Sequence, residues 1–167
     1  LIHNFKSPNF NNRKSNNIEL IVIHYTALSS VSNSLKYLCS KKNKVSCHYI
    51  ISNNGQTYRL VSENKRAWHA GQSYWKGIED VNSTSIGIEL DYLNSNKQKF
   101  NESQINSLIY LLQKLMKKYK ILPKNILGHS DIAPYRKIDP GKNFPWFILE
   151  ERNLCFEIKN LKENKIM

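Results

Sequence analysis

The chain has 167 residues, 40% of them hydrophobic and 23% charged, with only six glycines and five prolines. That length supports one domain with a real core, and the composition excludes a disordered or low-complexity protein. A net charge of +12 favours an acidic partner, but the lysines are spread along the whole chain, so charge alone does not select nucleic acid, an anionic membrane surface or a carboxylate-bearing polymer.

Residues 1–17 are rich in Asn, Lys and Ser and read as an irregular lead-in. Ile18 to His24 is apolar on both faces, Leu20 and Val22 on one and Ile21 and Ile23 on the other, which predicts a central strand covered on both sides. His24 ends it, facing with Leu20 and Val22. A loop at Thr26–Ser30 leads into a short helix over Ser32–Cys39. Val45–Ser52 and Gln56–Val61 read as strands of a hairpin turned by Asn53-Asn54-Gly55. Adjacent strand residues face opposite sides, so Cys47 and His48 cannot form a nucleophile and base pair there, and a small buried Cys47 is expected. Glu63 to Tyr74 reads as a loop whose Trp68, His69 and Tyr74 suit a groove wall.

Ser85–Tyr92 alternates, placing Ile86, Ile88 and Leu90 on one side and Ser85, Gly87, Glu89 and Asp91 on the other. Gly87 then leaves room beside the Glu89 carboxylate for a substrate or a metal-bound water. A long helix follows from Asn101-Glu102-Ser103-Gln104, with Ile105, Leu108, Ile109, Leu112, Leu115, Met116 and Tyr119 as its apolar stripe. Ile126–His129 is a short strand. It delivers Gly128 to Gly141, which gathers an imidazole (His129), an ammonium (Lys137) and a carboxylate (Asp139) in a turn-rich segment. Pro134 and Pro140 bias their preceding residues toward extended geometry. Lys137 and Asp139 should therefore share a face, with a bend over Ala133-Pro134 returning His129 to it. A final helical pattern runs through about Leu161 on Leu154, Ile158 and Leu161, and residues 162–167 read as a tail.

Cys39, Cys47 and Cys155 cannot all pair within the chain and lack CxxC spacing, which excludes a disulfide scaffold or a cysteine zinc finger. No apolar run approaches the roughly 20 residues needed to span a bilayer. The start at Leu1 rather than Met predicts removal of an upstream segment, and no signal peptide is visible.

Five blocks in order, Val22–Ala27, Val45–Ile51, Arg66–Gly71, Ser85–Leu90 and Gly128–Trp146, resemble the zinc-dependent N-acetylmuramoyl-L-alanine amidases, the group sharing its fold with peptidoglycan-recognition proteins. The resemblance implies an α/β single domain over 1–167, with a mixed central sheet flanked by helices. Residues 18–146 would be its core, 1–17 the lead-in, and 147–167 a C-terminal helix and tail. It implies Zn2+ held by His24, His129 and Asp139, with Glu89 and Lys137 catalytic, and cleavage of the amide joining the N-acetylmuramic acid lactyl group to L-Ala in peptidoglycan or an (anhydro)muropeptide. Tyr25, Trp68 and His69 are candidates for sugar or peptide contacts. His24-Tyr25-Thr26-Ala27 and Phe144-Pro145-Trp146 resemble the envelope branch, favouring the bacterial envelope or periplasm over the cytoplasm.

The chemistry is coherent on its own terms. Two imidazoles and one carboxylate leave a zinc position open, a carboxylate can shuttle a proton, and an ammonium can hold an oxyanion. The alternatives are a muropeptide-binding module that does not cut and a nucleic-acid binder. Binding-only relatives typically lose a zinc ligand, and this chain keeps all three. A nucleic-acid groove is disfavoured by Glu89 and Asp139 and by the lack of a recognition motif.

Overall fold

The computed structural model describes residues 2–93 and 99–156. Among these, the strands are β1 (Ile2–Asn4), β2 (Phe10–Asn12), β3 (Leu20–Tyr25), β4 (Tyr49–Ile51), β5 (Thr57–Arg59), β6 (Lys65–Ala67), β7 (Ser85–Leu90) and β8 (Ile126–Gly128). The helices are α1 (Val31–Leu38), α2 (Val81–Thr84), α3 (Glu102–Tyr119), α4 (His129–Ile132) and α5 (Trp146–Glu150). Six strands form one mixed sheet in the order β1-β5-β4-β7-β3-β8, with β4, β7, β3 and β8 mutually parallel and β4–β5 an antiparallel hairpin. The mixed α/β architecture is the one the resemblance implied.

The apolar pattern explains how the sheet is covered. Ile21, Ile23, Ile86, Ile88 and Leu90 share one face and pack against Ile105, Leu108, Ile109, Leu112 and Leu115 of α3. That helix stops where Lys120 takes a left-handed φ of 56°, with Pro123 shortly beyond. On the opposite face, Leu20 and Val22 pack with Ala70, Val81, Leu127 and Ile132, and α1 covers Ile50 and Cys47 through Leu35 and Leu38. His24 and Glu89 alternate onto this second face, so β3 and β7 present chemistry on one side and core on the other.

Four expectations need correction. The lead-in is not irregular throughout: β1 pairs with β5, and β2 pairs antiparallel with β6, which lies inside the segment expected to be loop. Both partners are three residues long and lack alternation, so periodicity could not reveal them. The strand expected over 45–52 is regular only over Tyr49–Ile51, because Ser46 is diverted into side-chain bonds, accepting from the Trp68 N–H and donating to the Asn9 carbonyl. The C-terminal helix ends at Glu150. Asn153 then takes φ 54° and the Leu154 N–H turns back to the Leu149 carbonyl, so Leu154 packs as part of a turn. Ile158, Leu161 and residues 162–167 lie outside the described residues.

Arg13 ties the lead-in to the sheet. Its guanidinium donates to the carbonyls of Glu63, Asn82, Ser83 and Ser85 at 2.9–3.2 Å. Replacing it by Met keeps much of the stem but strands those acceptors, each left unsatisfied costing roughly 1–3 kcal/mol. Arg13→Met should therefore lower the urea midpoint by at least one such increment with the slope unchanged. An unaltered midpoint would show that water replaces the guanidinium without loss.

Candidate functional site

The parallel strands set the site's frame. His24 at the end of β3 pairs in register with Glu89 of β7, and His129 directly follows β8. All three groups gather at the carboxyl ends of parallel strands, where sheets of this kind open into clefts. Asp139 is brought back by backbone contacts: the Ser130 N–H donates to its carbonyl at 3.0 Å, and Pro140 packs so tightly on Gly128 that a Cβ there would lie 2.6 Å from the proline ring. The route between differs from the extended run expected. Arg136 and Lys137 both donate to the Ala133 carbonyl at 3.0 Å, which makes a turn after α4. The turn still returns Lys137 and Asp139 to the cavity that holds His24, Glu89 and His129.

His24 Nδ1, His129 Nδ1 and Asp139 Oδ2 form a triangle with edges of 3.0, 3.0 and 3.1 Å, and all three residues are buried. Ligands around one tetrahedral zinc, at bond lengths near 2.0–2.1 Å, are about 3.3 Å apart. The outer nitrogens show which atoms carry protons. His129 Nε2 lies 3.0 Å from the Ala70 carbonyl, which can only accept, so Nε2 carries a proton and Nδ1 is the nitrogen turned to the triangle. His24 Nε2 is likewise engaged outward, 3.1 Å from His69 Nδ1. Burial holds His24 down to about pKa 4, against the opposing pull of the neighbouring Asp139 carboxylate. Two imidazole nitrogens and a carboxylate oxygen thus converge on one point, a donor set that suits a cation.

Asp139 is held ionised. Burial opposes the charge, but the close contacts of His129 and His24 with its Oδ2 override it and keep the carboxyl well below its ordinary range. Glu89 behaves oppositely. Burial, reinforced by the nearby Asp139 charge and only partly offset by Lys137, pushes it up to about 8. Its Oε2 is buried without a hydrogen-bond partner, an acceptor left open beside the triangle.

These groups share a cavity of about 410 Å³ whose walls include Tyr25, Leu28, Tyr37, Trp68, Arg136 and Ile138. A larger cavity of about 560 Å³, around Phe100, Ile105 and Ile148, gathers no histidine and is lined by one carboxylate, Glu102. Trp68 is anchored by its indole N–H to Asn11 Oδ1 at 2.8 Å. His69 also borders this cavity; it is buried, and both its ring nitrogens are engaged, by His24 and Ser85. The room expected beside Gly87 is filled by the same ring, which a Cβ at 87 would approach to 2.4 Å. Cys47 is fully buried, and that burial pushes its thiol well above the usual range, leaving it unsuited to nucleophilic work. Sequence reasoning missed Asn82, whose Oδ1 accepts the backbone N–H groups of both His69 and Ala70 at 3.0 and 2.8 Å. It missed Arg136 as well, which donates to the Ala70 and Gln72 carbonyls. Neither carries a signal in spacing.

Residues 14–142 match the family model described as N-acetylmuramoyl-L-alanine amidase. The chain is 39% identical over 151 residues to N-acetylmuramoyl-L-alanine amidase AmiD of Escherichia coli, covering 82% of this chain and 54% of that protein. It is also 39% identical over 160 residues to 1,6-anhydro-N-acetylmuramyl-L-alanine amidase AmpD of Haemophilus influenzae, covering 84% and 86%. Against AmiD the chain thus spans about half the relative's length. The solved complex of Escherichia coli AmiD with the substrate anhydro-N-acetylmuramic acid-L-Ala-D-gamma-Glu-L-Lys superposes with a TM-score of 0.78 at 36% identity, covering 87% of this chain and 62% of that one.

The raised Glu89 proton affinity has a signed consequence for the metal-free protein. Between the ordinary value of 4.5 and about 8 the unfolded chain is ionised at this group while the folded one keeps its proton, so stability falls as pH rises through that window and levels above it. Glu89→Gln lacks the term. The metal-free parent should lose stability relative to Glu89→Gln between pH 5 and 8, by on the order of a few kcal/mol. Parallel denaturation curves would show a solvated Glu89.

Proposed function

Because the chain belongs to the N-acetylmuramoyl-L-alanine amidase family, we propose that it hydrolyses the amide between the lactyl group of N-acetylmuramic acid and L-Ala in peptidoglycan or in (anhydro)muropeptides. The observation that carries this reading is the triangle of donor atoms from His24, His129 and Asp139 beside the unpartnered carboxylate oxygen of Glu89. Those three residues would hold Zn2+, for which two imidazoles, one carboxylate and an open cavity are a suitable donor set. Bound there, zinc supplies Lewis-acid polarisation of the carbonyl and lowers the pKa of water to about 7.

The chain's own groups do the rest. Glu89 takes the proton from the attacking water and returns it to the departing amine of L-Ala, and a carboxyl whose proton affinity is raised toward neutrality suits both transfers. Lys137 lines the same cavity and places its ammonium against the negative charge that develops on the carbonyl oxygen. Tyr25 and Trp68 offer aromatic wall to sugar or stem peptide. Among the described residues no helix is long and apolar enough to cross a membrane, and the resemblance of His24–Ala27 and Phe144–Trp146 supports work at the bacterial envelope.

The test is mass analysis after incubating the zinc-loaded protein with anhydro-N-acetylmuramoyl-L-Ala-D-γ-Glu-L-Lys. Cleavage should yield the sugar acid and the free tripeptide, stop on chelation and return with zinc. Glu89→Gln should lower kcat roughly 100 to 10,000-fold and Lys137→Met roughly 100 to 1,000-fold, with zinc content kept and KM changed far less. Tight binding without turnover by the zinc-loaded parent would instead establish a muropeptide-binding module.

A further inference from the structure

We propose that His69, oriented by Ser85, is a positioning residue that fixes the tautomer of His24 and so turns the Nδ1 lone pair of His24 to the metal position. The inference rests on the zinc reading above and assigns His69 a place behind a ligand instead of on the substrate.

Direction can be read along the chain of contacts. Ser85 Oγ lies 2.6 Å from the Val81 carbonyl, which only accepts, so the hydroxyl proton points there. The same oxygen is 3.1 Å from His69 Nε2 and therefore accepts from it. The ring is buried edge-on between His24 and His48, and its two nitrogens meet an imidazole and a hydroxyl with no carboxylate to balance a charge, so it is neutral and with Nε2 protonated its Nδ1 is bare. That bare nitrogen, 3.1 Å from His24 Nε2, can only accept, which places the His24 proton on Nε2 and leaves Nδ1 free. Each bond in the series is thus determined by the one behind it, starting from a backbone carbonyl.

The surroundings are shaped to keep the His69 ring in that place. Gly87 admits it where any Cβ would come within 2.4 Å. Asn82 Oδ1 clamps the backbone N–H groups of His69 and Ala70 together, and the Ala70 carbonyl orients the other ring, His129. Two consecutive residues, 69 and 70, thereby set both imidazoles. Outer partners of metal-binding histidines are ordinarily carboxylates, carbonyls or water. A neutral imidazole in that role fixes orientation without adding a second negative charge to the one from Asp139.

The experiment measures zinc affinity by competition with a chromophoric chelator on the purified full chain. His69→Phe keeps the ring volume but removes the acceptor, and should weaken zinc binding roughly 10 to 100-fold. His69→Asn returns an acceptor oxygen near the Nδ1 position and should recover most of that loss. Ser85→Ala removes the anchor while leaving His69 in place. It should weaken binding to a lesser degree, and imidazole 15N shifts of the metal-free protein should change from a single Nε2–H form of His24 to a mixture. Zinc affinity within twofold of the parent in a folded His69→Phe would overturn the role. If that variant does not fold, parent-like affinity and an unchanged His24 tautomer in Ser85→Ala would overturn it equally. Failure of the unsubstituted chain to bind zinc would sink the zinc reading itself, whereas undiminished binding in the variants sinks only the positioning role.

Discussion

The register between β3 and β7 is the constraint on which the site depends. It places His24 opposite Glu89 on one face while Ile23 and Ile88 point to α3 on the other. A slip by one residue would turn imidazole and carboxylate into the apolar layer and expose isoleucine in the cavity, so the core that stabilises the sheet also enforces the pairing of its functional groups. β8 extends the same logic, since its parallel pairing with β3 fixes where the chain emerges at His129.

Much of this was legible in the sequence, and the boundary of legibility has physical causes. Alternation in 18–24 and 85–92 showed which way His24 and Glu89 face, and the helical period of Ile105 to Leu115 showed what covers the other side. These are local regularities. Joining His24 to His129 and Asp139, 105 and 115 positions away, needed the resemblance, because periodicity says nothing about distant approach. The β2–β6 pair and α2 were invisible for a related reason: each is three or four residues long and held by tertiary bonds. Gly87 gives the sharpest lesson. Its lack of a side chain correctly signalled that something must come close, but the visitor is the His69 ring from within the protein.

Electrostatically the site is the inverse of the surface. The chain carries +12 overall, yet beneath the cavity lie His24, His48, His69 and His129, all buried. Burial pushes His24 and His48 down to about 4 and 3, so they stay neutral at physiological pH. Neutral imidazoles are the form that binds metal and relays hydrogen bonds. The cluster is affordable in an apolar setting because each outer nitrogen has a partner, which leaves the Glu89 oxygen as the unmet demand at the site.

The wide separation of the three donor atoms along the chain also bears on how the protein is made. During synthesis β3 leaves the ribosome long before β8, and β7 can begin to pair first with β3 and with β4 of the hairpin. His24 is then exposed to the cellular medium without either companion. Only once the turn through Asp139 has emerged can the three donors meet, and closing such long loops is entropically among the later and slower contacts to form. An ion captured earlier would be held by one imidazole and be readily lost. On the zinc reading proposed above, metal selection would be deferred to the nearly folded chain, whose cavity already has its shape and would discriminate by geometry among the cations that a lone histidine takes indiscriminately.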